Sequence, residues 1–235
     1  MIHQIIFAAP KPGMTTKEFQ DYWINVHAAN YASKIPQIKR YLIDARIPFD
    51  GDIGNPILPH QGVAEIWLPN EEEQLASLQT EEFLQGARLD EPNWAAFWMT
   101  FLIDTTAHVI IEGPPLTQDP TWIKMILLYK RTPGIPLENF RQYGLNVHAP
   151  RFAELPGLRR YLQCHTKDGF YVIGESAAFD AAEFLWFDNT DALQQAMNSQ
   201  QFKDAWAGLD AFVNPQYRFS IVAQENWIIG PEVRP

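Results

Sequence analysis

Two histidines occupy the same position in a repeated motif. His27 lies in the sequence Asn-Val-His-Ala at residues 25–28, and His148 lies in the same sequence at residues 146–149. An imidazole titrates near neutral pH, so either side chain is a candidate general acid or base. The alternative is a structural histidine that hydrogen-bonds a backbone carbonyl near the end of its helix, where the helix dipole favours a cation. The motif leaves both interpretations open.

Two glutamates form a second candidate pair. In the run 63–68, alternation places apolar residues on one face of a strand and Glu65 with Trp67 on the other. We expect the apolar face to lie under helices and Glu65 to point into the protein interior, with Glu183 at the matching place in the second copy. Burial among aromatic rings would raise the pKa of such a carboxyl group and make it an acid or base. Alternatively, Glu65 pairs with a polar group and fixes strand register, and the candidate partners are Arg46, Tyr41 and Lys124.

The chain contains two copies of one pattern. A Pro-Gly pair, a Phe, a Tyr and the Asn-Val-His-Ala motif recur 121 residues later, and Arg-Tyr-Leu at 40–42 recurs at 160–162. These matches predict two halves, residues 1–113 and 114–235. The second copy has Gly144 where the first has Trp23, which indicates that the halves no longer do the same work.

Each half has the same predicted order of elements. An apolar strand precedes a helix with apolar residues at a 3.6-residue period, two strands follow, and a second helix precedes a last strand. The second helices are predicted over 71–84 and 190–203, and the last strands over 100–111 and 218–229. This βαββαβ order is the ferredoxin-like unit, whose sheet has one bare apolar face. We therefore expect an α+β protein in which the two repeats form an intramolecular α/β barrel with helices outside.

Composition excludes several classes of function. The chain has 235 residues, a formal net charge of −10 and one cysteine. The negative charge disfavours nucleic acid and anionic membrane surfaces, and no apolar run is long enough to span a bilayer. Cys164 is predicted to be a buried, inert thiol, and the N-terminal residues do not form a secretion signal, so we expect a cytoplasmic protein. The remaining histidines lack metal-ligand spacing and no phosphate-binding loop is present, so no metal or cofactor is predicted.

The repeated motifs resemble the EthD family, named after an accessory protein of ethyl tert-butyl ether degradation. The resemblance rests on Pro-Gly, Phe-x-x-Tyr-Trp, Asn-Val-His-Ala, Arg-Tyr-Leu and Ala-Glu-Ile-Trp, and covers nearly all of the chain apart from residues 48–60 and 91–98. It implies a dimeric α/β barrel, here a tandem fusion of two repeats that forms a monomer or a weak homo-oligomer. Barrel relatives of the family include cofactor-free monooxygenases, isomerases, cyclases and decarboxylases.

Two functional hypotheses follow. The first is a cofactor-independent dehydratase, isomerase or cyclase, with a monooxygenase as a variant, acting on a small hydrophobic, aromatic or polyketide-like compound. The second is a non-catalytic ligand-binding or accessory protein of a degradative or biosynthetic pathway. The predicted catalytic residues are Glu65, His27, Glu183 and His148, and the predicted substrate-binding residues are Tyr22, Trp23, Tyr41, Trp67, Tyr143 and Tyr161. The aromatic stripe of Trp94, Phe97, Trp98 and Phe101 is interpreted as core. The alternative is that it lines an apolar pocket for a flat or lipophilic ligand, together with Trp67 and Trp186.

Overall fold

Eight antiparallel strands form the centre of the molecule. The structure is a computed structural model that describes residues 1–172 and 177–235. The strands are β1 (Ile2–Ala8), β2 (Arg40–Arg46), β3 (Gly62–Leu68), β4 (Phe101–Ile111), β5 (Ile123–Arg131), β6 (Arg160–Thr166), β7 (Ala181–Phe187) and β8 (Val213–Ile229).

The strands close into one barrel in the order β1-β3-β2-β8-β5-β7-β6-β4. Within it, β4-β1-β3-β2 and β8-β5-β7-β6 are the two ferredoxin-like sheets, and the pairs β2–β8 and β4–β6 join them. Each sheet thus covers the bare face of the other within one chain. The predicted α/β barrel of two repeats is confirmed.

Helices lie outside the barrel. They are α1 (Thr16–Tyr22), α2 (Glu71–Ser77), α3 (Arg88–Asp90), α4 (Leu137–Tyr143), α5 (Ala149–Phe152), α6 (Thr190–Asn198) and α7 (Gln200–Gly208). A capping box of Thr15 and Glu18 begins α1. None of the described helices has the length and apolar character needed to cross a membrane.

Two of the helices continue as π-helices that carry the repeated histidines. The segment Trp23–Ala28 extends α1 and contains His27, and Gly144–His148 extends α4 and contains His148. The i→i+5 bonding of a π-helix turns the chain less per residue than an α-helix does. Both histidines are buried.

The second helix of the N-terminal half is shorter than predicted. The α2 helix stops at Ser77, and a π-helix over Glu82–Ala87 with α3 replaces its continuation. The corresponding region of the C-terminal half keeps two full helices, α6 and α7. The space between sheet and helices consequently differs between the halves.

Strand register corrects the predicted match of Glu65 with Glu183. On β3, Ala64 pairs with Ile6, and on β7, Glu183 pairs with Leu127, which stands 121 residues after Ile6. Glu183 is therefore the counterpart of Ala64, so the prediction that it occupies the place of Glu65 is wrong. A shift of one residue moves a strand side chain to the opposite face. Glu65 points into the barrel, whereas Glu183 lies under the helices.

Candidate functional site

His27 is held by a carboxylate on a distant segment. Its Nδ1 lies 2.9 Å from Oδ2 of Asp90, at the end of α3. The other oxygen of Asp90 accepts hydrogen bonds from the Tyr22 hydroxyl at 2.8 Å and the Asn93 amide at 3.0 Å. Because a carboxylate only accepts, Nδ1 carries the proton. The lone pair of neutral His27 is then on Nε2, which has no hydrogen-bond partner among the described residues.

Burial and hydrogen bonding set the protonation of this pair. Burial lowers the pKa of His27, and the hydrogen bond and charge of Asp90 oppose this only partly. Burial raises the pKa of Asp90, but the hydrogen bonds from Asn93, Tyr22 and His27 outweigh it and hold the pKa below its usual value. The site therefore combines a neutral imidazole with an ionised carboxylate near neutral pH, the arrangement of a general base with an orienting partner.

His27 lines a cavity of about 590 Å³ in the N-terminal half, a volume within the usual range for small-molecule sites. The cavity lies between the outer face of β1, β3 and β4 and the helical segments that cover it. Asp90 is not part of its wall, so the imidazole edge away from Asp90 faces the cavity. Most of the wall is apolar or aromatic, including Ile6, Trp23, Tyr41, Ile66, Phe83 and Trp94.

Trp94 packs against His27, and it is one of two residues of the cavity wall that carry a buried polar atom without a partner. The Trp94 ring centroid is 4.8 Å from that of His27 and 4.7 Å from that of Trp23. Trp94 Nε1 and Thr100 Oγ1 are buried, and neither has a hydrogen-bond partner among the described residues. Both residues line the cavity.

The corresponding region of the C-terminal half is filled. Phe212 lies 5.5 Å from His148 between ring centroids, and His148 Nε2 is 3.1 Å from Oε1 of Glu183. Gln163 donates a hydrogen bond of 2.6 Å to Glu183, and its carboxamide also fills the space in front of Gly144. The nitrogen that is free in His27 is therefore occupied in His148. This difference supports the predicted functional asymmetry of the halves.

Glu65 belongs to an ion-pair cluster inside the barrel. Lys124 Nζ is 2.5 Å from Glu65, 2.7 Å from Glu225 and 2.9 Å from Asp44, and His3 Nε2 is 2.6 Å from Glu65. Burial raises the pKa of Glu65, but Lys124 and His3 outweigh it and hold the pKa well below its usual range. The prediction of a raised pKa is therefore wrong. The contacts are those of the predicted alternative, in which Glu65 pairs with Lys124.

The carboxylates of this cluster are the one group of possible metal ligands found among the described residues. Oxygens of Asp44, Glu65 and Glu225 all lie within 4.8 Å of one another. The ammonium group of Lys124 already lies among them and contacts all three. The Lys124 ammonium group therefore occupies the position between the three carboxylates that a bound metal ion would take.

The predicted substrate-binding residues fall into three groups. Trp23 and Tyr41 line the cavity, and Tyr22 supports Asp90 from outside it. Trp67 lies inside the barrel, stacked on His3 with ring centroids 4.6 Å apart. Tyr161 is buried in the C-terminal core and Tyr143 packs at its edge. Neither of these two is brought near the cavity.

The core assignment of Trp94 is confirmed, since Trp94 packs in the buried N-terminal core, and the residue also lines the cavity. The core assignment is wrong for Phe97 and Trp98, whose side chains are exposed.

Sequence reasoning missed Asp90. Asp90 lies 63 residues from His27 in a segment that breaks the repeat, so no spacing rule connects the two. The one available signal is that the interruption near residues 91–98 is specific to the half that keeps Trp23. An insertion next to one copy of a repeated histidine is a place where new side chains can reach that histidine.

Comparison with known proteins agrees with this architecture. The EthD domain matches residues 11–97 and 132–215, whereas no curated protein sequence matches the chain. Among solved structures, an anthrone oxidase-like protein is 13% identical and has a TM-score of 0.62, covering 97% of this chain and 92% of its own.

Two bacterial structures provisionally described as monooxygenases share the fold. The one from Fusobacterium nucleatum is 10% identical with a TM-score of 0.61, covering 96% of this chain and 93% of its own. The one from Lactobacillus acidophilus is 12% identical with a TM-score of 0.55, covering 99% and 97%. At these identities the likeness concerns the fold alone. Because both halves match the same domain and form one barrel, the chain belongs to the EthD family as a tandem pair of EthD domains.

Proposed function

We propose that this protein binds a small, flat, apolar compound in the N-terminal cavity and catalyses a proton transfer on it without a cofactor. The reaction class is an isomerisation, dehydration or cyclisation that begins at a carbon next to a carbonyl group. The observation that carries the proposal is the His27–Asp90 pair, with a bond of 2.9 Å at Nδ1 and a free Nε2 on a ring that lines an apolar cavity.

In the proposed first step, His27 Nε2 takes a proton from the substrate carbon. The C–H electron pair moves onto the carbonyl oxygen and gives an enolate. The resulting imidazolium is stabilised by the ionised Asp90 through Nδ1. Returning the proton to another carbon completes an isomerisation, and delivering it to a departing hydroxyl group releases water.

The apolar wall contributes to this chemistry in two ways. It keeps His27 neutral at pH 7 because burial lowers its pKa, so the base is ready without a preceding deprotonation. It also excludes water from the charges that form during the step, which strengthens the interaction of the imidazolium with Asp90. Glu65 does not line this cavity, and its catalytic assignment stays a prediction that a Glu65→Gln variant tests.

Hydrogen–deuterium exchange of 2-tetralone in D₂O tests the proposal without knowledge of the natural substrate. This bicyclic ketone has acidic C–H bonds next to its carbonyl, and NMR measures their exchange. We expect the wild-type protein to accelerate exchange and His27→Gln to lose about 100-fold or more of that acceleration. The matched control is His148→Gln, which changes the other copy of the motif and is expected to leave exchange unchanged.

The possible results separate the candidate functions. Binding of 2-tetralone without any acceleration of exchange would support the container hypothesis and overturn the enzymatic one. An equal loss of exchange rate in His27→Gln and His148→Gln would contradict the assignment of catalysis to the N-terminal half. Oxygen consumption that accompanies exchange would assign the enolate to oxygenation rather than to isomerisation.

A further inference from the structure

The wall of the N-terminal cavity reaches the protein surface at four apolar residues. Leu75 on α2, Leu78 directly after it, Phe97, and Leu102 on β4 all line the cavity. Each of them is also exposed, Leu75 over 67% and Leu102 over 40% of its surface. A residue that borders both an internal space and the solvent marks an opening between the two. We call these four residues the apolar rim.

The second repeat shows which residues stand at the same places in the other half. Asn70 begins α2 and Asn189 begins α6, and each side chain accepts a hydrogen bond of 2.9 Å from the backbone amide three residues later. The two helices therefore correspond from their first residue. The counterpart of Leu75, five residues after Asn70, is Gln194, five residues after Asn189, and both residues are exposed.

Strand register gives the counterpart of Leu102. Leu102 pairs with Ile6, and Ser220 pairs with Leu127, which stands 121 residues after Ile6. Ser220 on β8 is therefore the counterpart of Leu102. At both places the N-terminal half has a leucine and the C-terminal half has a polar residue.

A loop of the chain covers these places in the C-terminal half. Ile53, in the loop after β2, donates a backbone hydrogen bond of 2.6 Å to the Ser220 hydroxyl and accepts one of 2.9 Å from the Ser220 amide. Gln194 lies against Gly51 of the same loop. Phe49 and Ile53 pack on the C-terminal core. The loop therefore joins α6 to β8 and brings apolar side chains to the place between them.

The equivalent place in the N-terminal half is open to solvent, because Leu102 keeps 40% of its surface exposed where Ser220 keeps none. Exposed apolar side chains next to a cavity are typical of a ligand-binding surface. The rim is continuous with the cavity, since the same four residues belong to both. The occupant that fits the rim is therefore the part of a ligand that extends out of the cavity.

We infer that the ligands of this protein carry an apolar chain, in the first place an alkyl group, that leaves the cavity between α2 and β4 and lies against the apolar rim. The inference rests on the proposed function only for the reacting part of the ligand, which is a ring compound with a carbonyl group inside the cavity. The chain takes the place that Ile53 and its neighbours occupy in the C-terminal half. Covering Leu75 and Leu102 removes apolar surface from water, so the affinity increases with the length of the chain.

Equilibrium dialysis with 4-methylacetophenone and 4-octylacetophenone tests the inference. The two ketones have the same ring and carbonyl group and differ only in the length of the alkyl chain opposite the carbonyl. We expect the wild-type protein to bind the octyl compound at least about 10-fold more tightly than the methyl compound. We call this ratio of the two affinities the chain preference.

Two variants give the rim the residues of the other half. Leu75→Gln and Leu102→Ser should each lower the chain preference by about 3-fold or more and leave the affinity for the methyl compound unchanged. Leu89→Gln is the matched control, because Leu89 is 63% exposed but does not line the cavity. This control should keep the wild-type chain preference.

The possible results decide between a ligand chain and other uses of the rim. Equal affinity of the wild-type protein for the two ketones would overturn the inference, and so would an unchanged chain preference in both rim variants. An equal loss in Leu89→Gln would also overturn it, because the octyl chain would then adsorb to exposed leucines in general. Dimerisation that Leu75→Gln abolishes, with an unchanged chain preference, would assign the rim to a second copy of this chain instead.

The dialysis measures binding alone and is therefore independent of proton transfer. A wild-type protein that shows the chain preference without accelerating 2-tetralone exchange would overturn only the proposed function.

Discussion

Asp90 Oδ2 lies 2.9 Å from Nδ1 of His27, although the two residues are 63 positions apart in the chain. In the second copy of the motif, the carboxylate of Glu183 contacts the other ring nitrogen of the histidine, Nε2 of His148. The carboxylate therefore leaves the cavity-facing nitrogen free in one half and occupies the equivalent nitrogen in the other. This relationship makes the N-terminal half the candidate for chemistry and the C-terminal half its packed counterpart.

The pH dependence of exchange should follow the neutral form of His27. Burial lowers its pKa, so the acidic limb of the rate of 2-tetralone exchange should have a midpoint below the value of about 6.5 for a free imidazole. By linkage, the unfolded state binds this proton more tightly, and the free energy of unfolding should decrease as the pH falls below that value. A pH–rate profile measures the first effect, and urea unfolding of wild-type and His27→Gln proteins measures the second. A midpoint above 6.5 would contradict the assignment.

Asp90→Asn should lower the rate of 2-tetralone exchange and shift the acidic limb of its pH–rate profile. The hydrogen bond to an imidazolium is stronger when the acceptor is charged, so its loss is expected to cost about 10-fold or more in exchange rate. Asp90 also raises the pKa of His27 against the effect of burial, and the limb should therefore move to lower pH in the variant. If Asp90 had only a structural role, the variant would change the free energy of unfolding without shifting the acidic limb of the pH–rate profile. Tyr22→Phe, which removes one hydrogen bond to Asp90 but no charge, serves as the comparison.

Variants of the barrel cluster should affect stability rather than exchange. Lys124→Met leaves three buried carboxylates without their shared cation and is expected to cost about 3–5 kcal/mol in the free energy of unfolding. The control Lys17→Met removes an exposed pair and should change this free energy by about 0.5 kcal/mol or less. Glu65→Gln should lose stability and retain wild-type exchange. Abolished exchange in a folded Glu65→Gln protein would restore Glu65 as the catalytic group.

Filling the cavity should weaken ligand binding without unfolding the protein. Ala64 lines the cavity, and Ala64→Leu adds three carbon atoms to a space of about 590 Å³. We expect the affinity for 2-tetralone to fall by about 10-fold, which corresponds to about 1.4 kcal/mol of binding free energy. Phe202→Leu, in the core of the C-terminal half, is the control and should leave the affinity unchanged. Equal affinity of Ala64→Leu and wild-type proteins would place the binding site elsewhere.

The chain is expected to be monomeric. Eight strands close the barrel within one chain, so the sheet faces that pair between subunits in a single-repeat dimer are already covered. Sedimentation velocity should give a species of 27.0 kDa. A stable dimer at micromolar concentration would show that an outer surface, rather than the sheets, provides a further interface.

Several elements were predictable because they depend on local patterns. The strand β1 and the helix α1 follow from an apolar run and a 3.6-residue period, and the β4 strand at 101–111 agrees with the predicted 100–111. The inward direction of Glu65 follows from simple alternation. The face of Glu183 was predicted wrongly because a single-residue difference in the alignment of the two repeats reverses the face of a strand.

The amino-acid sequence by itself determined the duplication, the ferredoxin-like order of elements and the barrel, because repeated spacing and apolar periodicity are recorded along the chain. Tertiary structure alone decided which polar groups act on one another. The pairing of His27 with Asp90 and the neutralisation of Glu65 by Lys124 both join segments that are distant in sequence. Protonation depends on burial and on charges a few ångströms away, and those distances exist only once the chain has folded.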